Sequence, residues 1–180
     1  MYSFAFSRGN LRVKRNNCMI GLITAIILIN FIAFKQNRKL TANQILHIWV
    51  FTVAFQTSFD VFIEFKYHAY WYFEKVVNWR GVLPHLLVVP PANIIFLNCF
   101  PFKKNRFKMV QFFFFFTLII VIYELITLLP EPWGYFHYGW WSIWHSVVID
   151  PILLLILLGY YRWIRYLEQK ACSQNSCSKA

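Results

Sequence analysis

The residues able to do chemistry are few: seven acids and five histidines in a chain of 180. Four carboxylates (Asp60, Glu64, Glu124 and Asp150) stand inside long apolar runs or at their ends, as do His85 and His145. Gln56, Asp60 and Glu64 fall at i, i+4 and i+8, which makes one polar stripe on a helix. Ser142, Ser146 and Asp150 repeat that spacing, and Glu124 shares a face with Thr127. An ionisable group in hydrocarbon costs about 2.5–3.5 kcal/mol, so four facing lipid would cost on the order of 10 kcal/mol. They are expected to turn inward, to pair, or to carry a proton. The candidate polar pocket is therefore Asp60, Glu64, His85, Glu124, His145, Ser146 and Asp150. Histidine beside carboxylate could relay protons or bind a divalent ion. Yet no H-E-x-x-H, G-x-S-x-G or phosphate-binding glycine loop is present, and glycine occurs only six times. No cofactor, metal site or catalytic residue is assigned.

Such a pocket needs elements to hold it, and composition says what they are. Hydrophobic residues make up 59% of the chain, charged residues 14% and aromatic residues 21%, with mean hydropathy +0.47. A soluble domain carries roughly 45–50% apolar and about 25% charged residues, and a small one cannot hide so much apolar surface. An ordinary cytosolic enzyme, a disordered tail and a secreted disulfide scaffold are excluded. A bilayer core takes about 20 residues of helix. Five segments qualify: 18–34, 45–65, 81–100, 109–129 and 140–161, followed by a polar tail at 162–180. The expected fold is all-α, a polytopic transmembrane helix bundle of about five spans in a single domain. The prolines at 84, 90 and 91 should kink or unwind the third span by removing backbone donors.

Five spans place the termini on opposite sides. Lys and Arg number four before the first span, three at 35–44, three at 66–80, four at 101–108, none at 130–139 and four after the last span. One side holds 11 and the other 7, so the positive-inside rule puts the N-terminus outside and the C-terminus in the cytoplasm. The net charge of +11 then reflects topology and lipid headgroups rather than nucleic acid. Six of the seven acids and four of the five histidines fall at or on one side of the midplane, toward the loops at 66–80 and 130–139. Both loops are dense in Tyr, Trp, Phe and His and read as interfacial aromatic belts. Cys172 and Cys177 read as free thiols of the tail.

Several segments carry a resemblance: Tyr70-Trp71-Tyr72-Phe73, Leu83-Pro84-His85, the run from Pro90 to Phe102, and the run from Leu129 to Ser146. Together they are similar to an uncharacterised family of small multi-pass membrane proteins from Gram-positive spore-forming bacteria. The likeness spans about 60–161 and is most specific in the Trp/His/Tyr loop before the last span. It implies a bacterial plasma membrane and supplies no activity. The functional expectation is a non-enzymatic membrane component with a polar intramembrane pocket, whose partner is the lipid bilayer and, beyond it, a second copy or another membrane protein. An intramembrane enzyme using a His/carboxylate site on a lipid-linked or small substrate is the alternative, with a small transporter or sensor subunit as a third.

Overall fold

Long apolar runs without internal breakers must satisfy their backbone groups internally once water is gone, and only helices do so within one segment. The computed structural model describes residues 2–75, 79–130 and 132–177, with side chains left out at 2–18, 60, 61, 65 and 175–177. In chain order the helices are α1 (Tyr2–Lys35), α2 (Ala42–Asp60), α3 (Trp79–Leu87), α4 (Val89–Cys99), α5 (Arg106–Thr127) and α6 (Ile143–Cys177). Two three-residue strands, β1 (Tyr70–Tyr72) and β2 (Phe136–Tyr138), sit in the loops. Among the described residues four helical stretches are long and apolar enough to cross a membrane: Ala42–Glu64, Trp79–Cys99, Arg106–Thr127 and Ile143–Gln174. A fifth apolar helix, Met19–Lys35, is shorter. The chain is a membrane-embedded, all-α polytopic helix bundle.

Cross-links between loops fix which ends lie together. Asn98, at the end of α4, accepts from the backbone N–H groups of Arg38 and Lys39 at 3.3 and 3.1 Å. Glu168 on α6 accepts from Asn43 and Gln44 at the start of α2. These residues define one end of the bundle, which carries most of the lysine and arginine. At the other end β1 pairs antiparallel with β2, Tyr70 opposite Tyr138 and Tyr72 opposite Phe136. Gly21 of α1 reaches the same end, where its N–H meets the Pro132 carbonyl at 3.3 Å. A Cβ at Gly21 would overlap the Trp133 backbone, so only glycine admits this approach.

The third span breaks where its prolines require. α3 ends at Leu87, Val88 is the joint, and Pro90 and Pro91 enter the first turn of α4, where an N–H would lack a helical partner anyway. Pro91 cannot donate to the Leu87 carbonyl four residues back. Asn30 of α1 does so instead, its amide reaching Leu87 O at 2.8 Å and Ile26 O at 2.8 Å. Asn93 also donates to Thr52 at 3.0 Å, tying α4 to α2.

The main core lies between α2, α4, α5 and α6. Phe96 is fully buried against Phe112, Phe113 and Phe116, with ring centroids 5.1–5.8 Å apart. The five-phenylalanine run thus splits by helical phase. Positions 112, 113 and 116 face the bundle, whereas Phe114 stays 72% exposed, toward lipid. Two sequence expectations shift. The polar tail continues α6 as far as Cys177, because Leu167, Glu168, Gln169, Lys170 and Ala171 are strong helix formers. The aromatic loops are only partly belts: Trp79, Trp133, Trp140 and Trp144 are exposed, yet Tyr70, Tyr135, Phe136 and Trp141 are buried within the protein.

Candidate functional site

The paired strands form a cap over one end of the bundle. α2 widens there into a π-helical stretch, Val61–Lys66, which ends in backbone bonds such as Ala69 N–H to Ile63 O at 3.0 Å. His68 and Phe73, with φ of 50° and 60°, take the left-handed conformation on either side of β1. This is costly for residues other than glycine and persists where the surroundings enforce it. Here the surroundings are dense. The Ala69 carbonyl accepts from both Gly139 N–H (2.8 Å) and Trp141 N–H (3.0 Å), Phe73 N–H reaches Tyr135 O at 2.8 Å, and the Trp140 indole reaches Tyr67 O at 2.8 Å.

Glu124, one turn from the end of α5, lies beneath this cap. One oxygen, Oε1, accepts from the Tyr138 hydroxyl on β2 at 2.6 Å and from the Ser146 hydroxyl on α6 at 2.7 Å. Ser146 in turn accepts from the buried Trp141 indole N–H at 2.9 Å. A single carboxylate therefore joins three elements, α5, α6 and the cap. The Tyr138 hydroxyl is held protonated, its pKa pushed up by burial first and by Glu124 second. Thr127 turns back to the Glu124 backbone carbonyl at 2.7 Å. Asp150, one turn below Ser146, lies within electrostatic range of Glu124, and its Oδ2 is buried with no hydrogen-bond partner. Beside this cluster Tyr135 shares a short hydrogen bond with Tyr123, and burial raises the Tyr135 pKa.

The expected set is thus divided. Glu124, Ser146 and Asp150 meet. His145 does not join them: its Nδ1 bonds Ser142, accepting from the backbone N–H at 3.1 Å and meeting the hydroxyl at 2.8 Å, in the manner of a capping box at the start of α6. Its ring is exposed beside Trp140 and Trp141. His85 is buried edge-on to Tyr72, 4.9 Å between centroids, in a neighbouring aromatic cluster. Glu64 is buried in the π-helical stretch. The Asp60 side chain lies outside the described residues. Among the described residues no three His, Cys, Asp or Glu side chains gather at metal-binding distance.

Tyr138 and Trp141 also belong to the site, beyond the residues expected from the sequence. Their signal was available, since a buried Tyr or Trp seeks a partner for its O–H or N–H. Chemically, the cluster can accept, hold and share hydroxyl protons at Glu124, with Asp150 as a second carboxyl beside it. No family model matches the chain, and neither a curated protein nor a solved structure matches it.

Proposed function

We propose that this protein is a non-enzymatic component of a bacterial plasma membrane, with its N-terminus outside and its C-terminus in the cytoplasm, and that Glu124 serves as the clamp fastening the aromatic cap to α5 and α6. One observation carries the reading: Glu124 Oε1 accepts from Tyr138 and Ser146 at once, and Ser146 is itself engaged by Trp141. Each polar hydrogen in the chain of bonds ends on a group of the fold. His145, adjacent to Ser146 in the sequence, is taken up by Ser142. The distribution of lysine and arginine, 11 against 7, supports the orientation.

The test is amide hydrogen exchange of the cap, residues 67–75 and 132–141, in detergent-solubilised protein. Glu124→Gln keeps a carbonyl acceptor and is expected to retain protection. Glu124→Leu removes the acceptor, and the cap is expected to exchange faster. Equal exchange in both variants and the native protein refutes the clamp. A reporter fused after Ala180 reads the orientation, and an extracytoplasmic signal overturns it.

A second reading, a proton-handling or enzymatic carboxyl pair, is favoured by the Asp150 Oδ2 atom, which is buried without a hydrogen bond. Unpaired polar groups of this kind occur where function opposes stability.

A further inference from the structure

The opposite end of the bundle holds a groove of about 540 Å³ whose lining includes Phe31, Ile32, Lys35, Arg38, Lys39 and Asn98. The geometry points to this groove as a binding site for one anionic phospholipid, its phosphate among Lys35, Arg38 and Lys39 and an acyl chain against α1. The inference is independent of the clamp and needs only a membrane-embedded bundle.

Three observations converge. First, the cationic lip is built rather than loose. Asn98, 7% exposed, accepts from the backbone N–H groups of Arg38 and Lys39 and donates to the Gln36 carbonyl in a short bond. Asn37 closes the turn, giving and accepting with Leu40 at 3.0 and 3.1 Å. The turn therefore presents Arg38 and Lys39 from a fixed backbone. Second, three cations line the groove and no carboxylate does. Glu168, the one acid at this end among the described residues, is occupied by Asn43 and Gln44. Third, the wall is apolar, with Phe31 and Ile32 of α1 lining the groove. Ile27, Leu28 and Phe31 are 62%, 54% and 60% exposed along α1 below the lip. The Lys35 ammonium lies over the Phe31 ring at 4.9 Å, so its stem follows the apolar surface and its charge stays at the rim. A free phosphate would use the lip alone. A lipid uses the lip and the wall, and lysine and arginine at a membrane surface attract anionic headgroups.

Native mass spectrometry of the protein in neutral detergent tests the assignment. Phosphatidylglycerol is expected to bind and phosphatidylcholine of the same chains is not. Inorganic phosphate at equal concentration is expected to leave the bound lipid in place. Each cation near an anionic headgroup is worth roughly fivefold in affinity, so Lys35→Gln, Arg38→Gln and Lys39→Gln together should weaken binding on the order of a hundredfold. Lys35→Arg with Lys39→Arg should keep it, and Lys103→Gln with Lys104→Gln, on the next loop of the same end, should change it less than about fivefold. Should the triple variant fail to fold, Lys35→Gln alone carries the test with a roughly fivefold loss expected. Equal binding of the two lipids overturns the inference. So does an equal loss in the Lys103/Lys104 pair, which marks a diffuse basic surface, or displacement by inorganic phosphate, which marks a free-anion site.

Discussion

The sharpest consequence of the clamp concerns two hydroxyls that share one oxygen. Tyr138→Phe removes the 2.6 Å bond to Glu124 and the hydroxyl's interaction with Ser146, while the ring keeps its packing against Phe136. A hydrogen bond to a charged group contributes about 1.5–3 kcal/mol in soluble proteins, and bonds between membrane helices average about 0.6. At this boundary position a loss of about 1–2 kcal/mol is expected. Ser146→Ala removes the second bond to Glu124 and also strands the buried Trp141 indole N–H, so about 2–3 kcal/mol is expected. The double variant decides the matter. Each single variant leaves Glu124 Oε1 one donor, whereas the double variant leaves it none from this pair. The combined loss should therefore exceed the sum by about 0.5–1.5 kcal/mol. Reversible unfolding in mixed micelles, followed by the fluorescence of the eight tryptophans, measures all four proteins. A combined loss equal to the sum within about 0.3 kcal/mol means that the hydroxyls do not meet on one carboxylate, and the clamp argument fails.

Asp150→Asn is expected to keep or raise stability, by up to about 1–2 kcal/mol, since a neutral amide cannot repel Glu124 and supplies N–H donors where the buried Oδ2 has no partner; a marked loss in the same unfolding assay would show that the carboxylate is engaged. Gly21→Ala should cost about 1–3 kcal/mol by forcing α1 away from the Trp133 backbone, read as lowered thermal stability, and an unchanged midpoint would contradict the contact. Asn98→Ala should cost about 1–3 kcal/mol by leaving the Arg38 and Lys39 N–H groups without their acceptor, and should also weaken phosphatidylglycerol binding. His137 stacks on Trp71, over which Lys75 also sits, and partial desolvation of the largely exposed ring holds its pKa below the ordinary 6.5. The unfolded chain then takes up the proton first, so stability is full above about pH 6.5 and falls as the pH drops below it. His137→Gln should flatten that slope, and a slope unchanged by the substitution would assign the pH dependence to another group.

The spans were legible because hydrocarbon imposes length and apolarity on a sequence directly. The meeting of Glu124, Ser146 and Asp150 was legible in part: i, i+4 spacing places groups on one helix face, and the cost of a bare carboxylate turns that face inward. His145 stands outside the Ser142, Ser146 and Asp150 stripe, and in the first turn of α6 the N–H of Ser142, which has no helical partner, takes its ring nitrogen. Tyr138 and Trp141 escaped because amphipathic aromatics fit two environments, and composition does not distinguish a lipid interface from a buried cap. Asn98 carried no periodic signal, since its partners are backbone groups about 60 residues away. The helical run at 162–177 was hidden from hydropathy because helix propensity, not apolarity, sustains it.

The Asn30 amide that reaches Leu87 makes the first helix a structural dependency of the third span. Strip the chain of that helix and an orphaned peptide oxygen is left in oil at the proline joint, with no water to receive it. A shortened protein beginning after Lys35 should therefore insert poorly, and supplying the missing helix as a separate peptide should rescue it only when position 30 retains its amide.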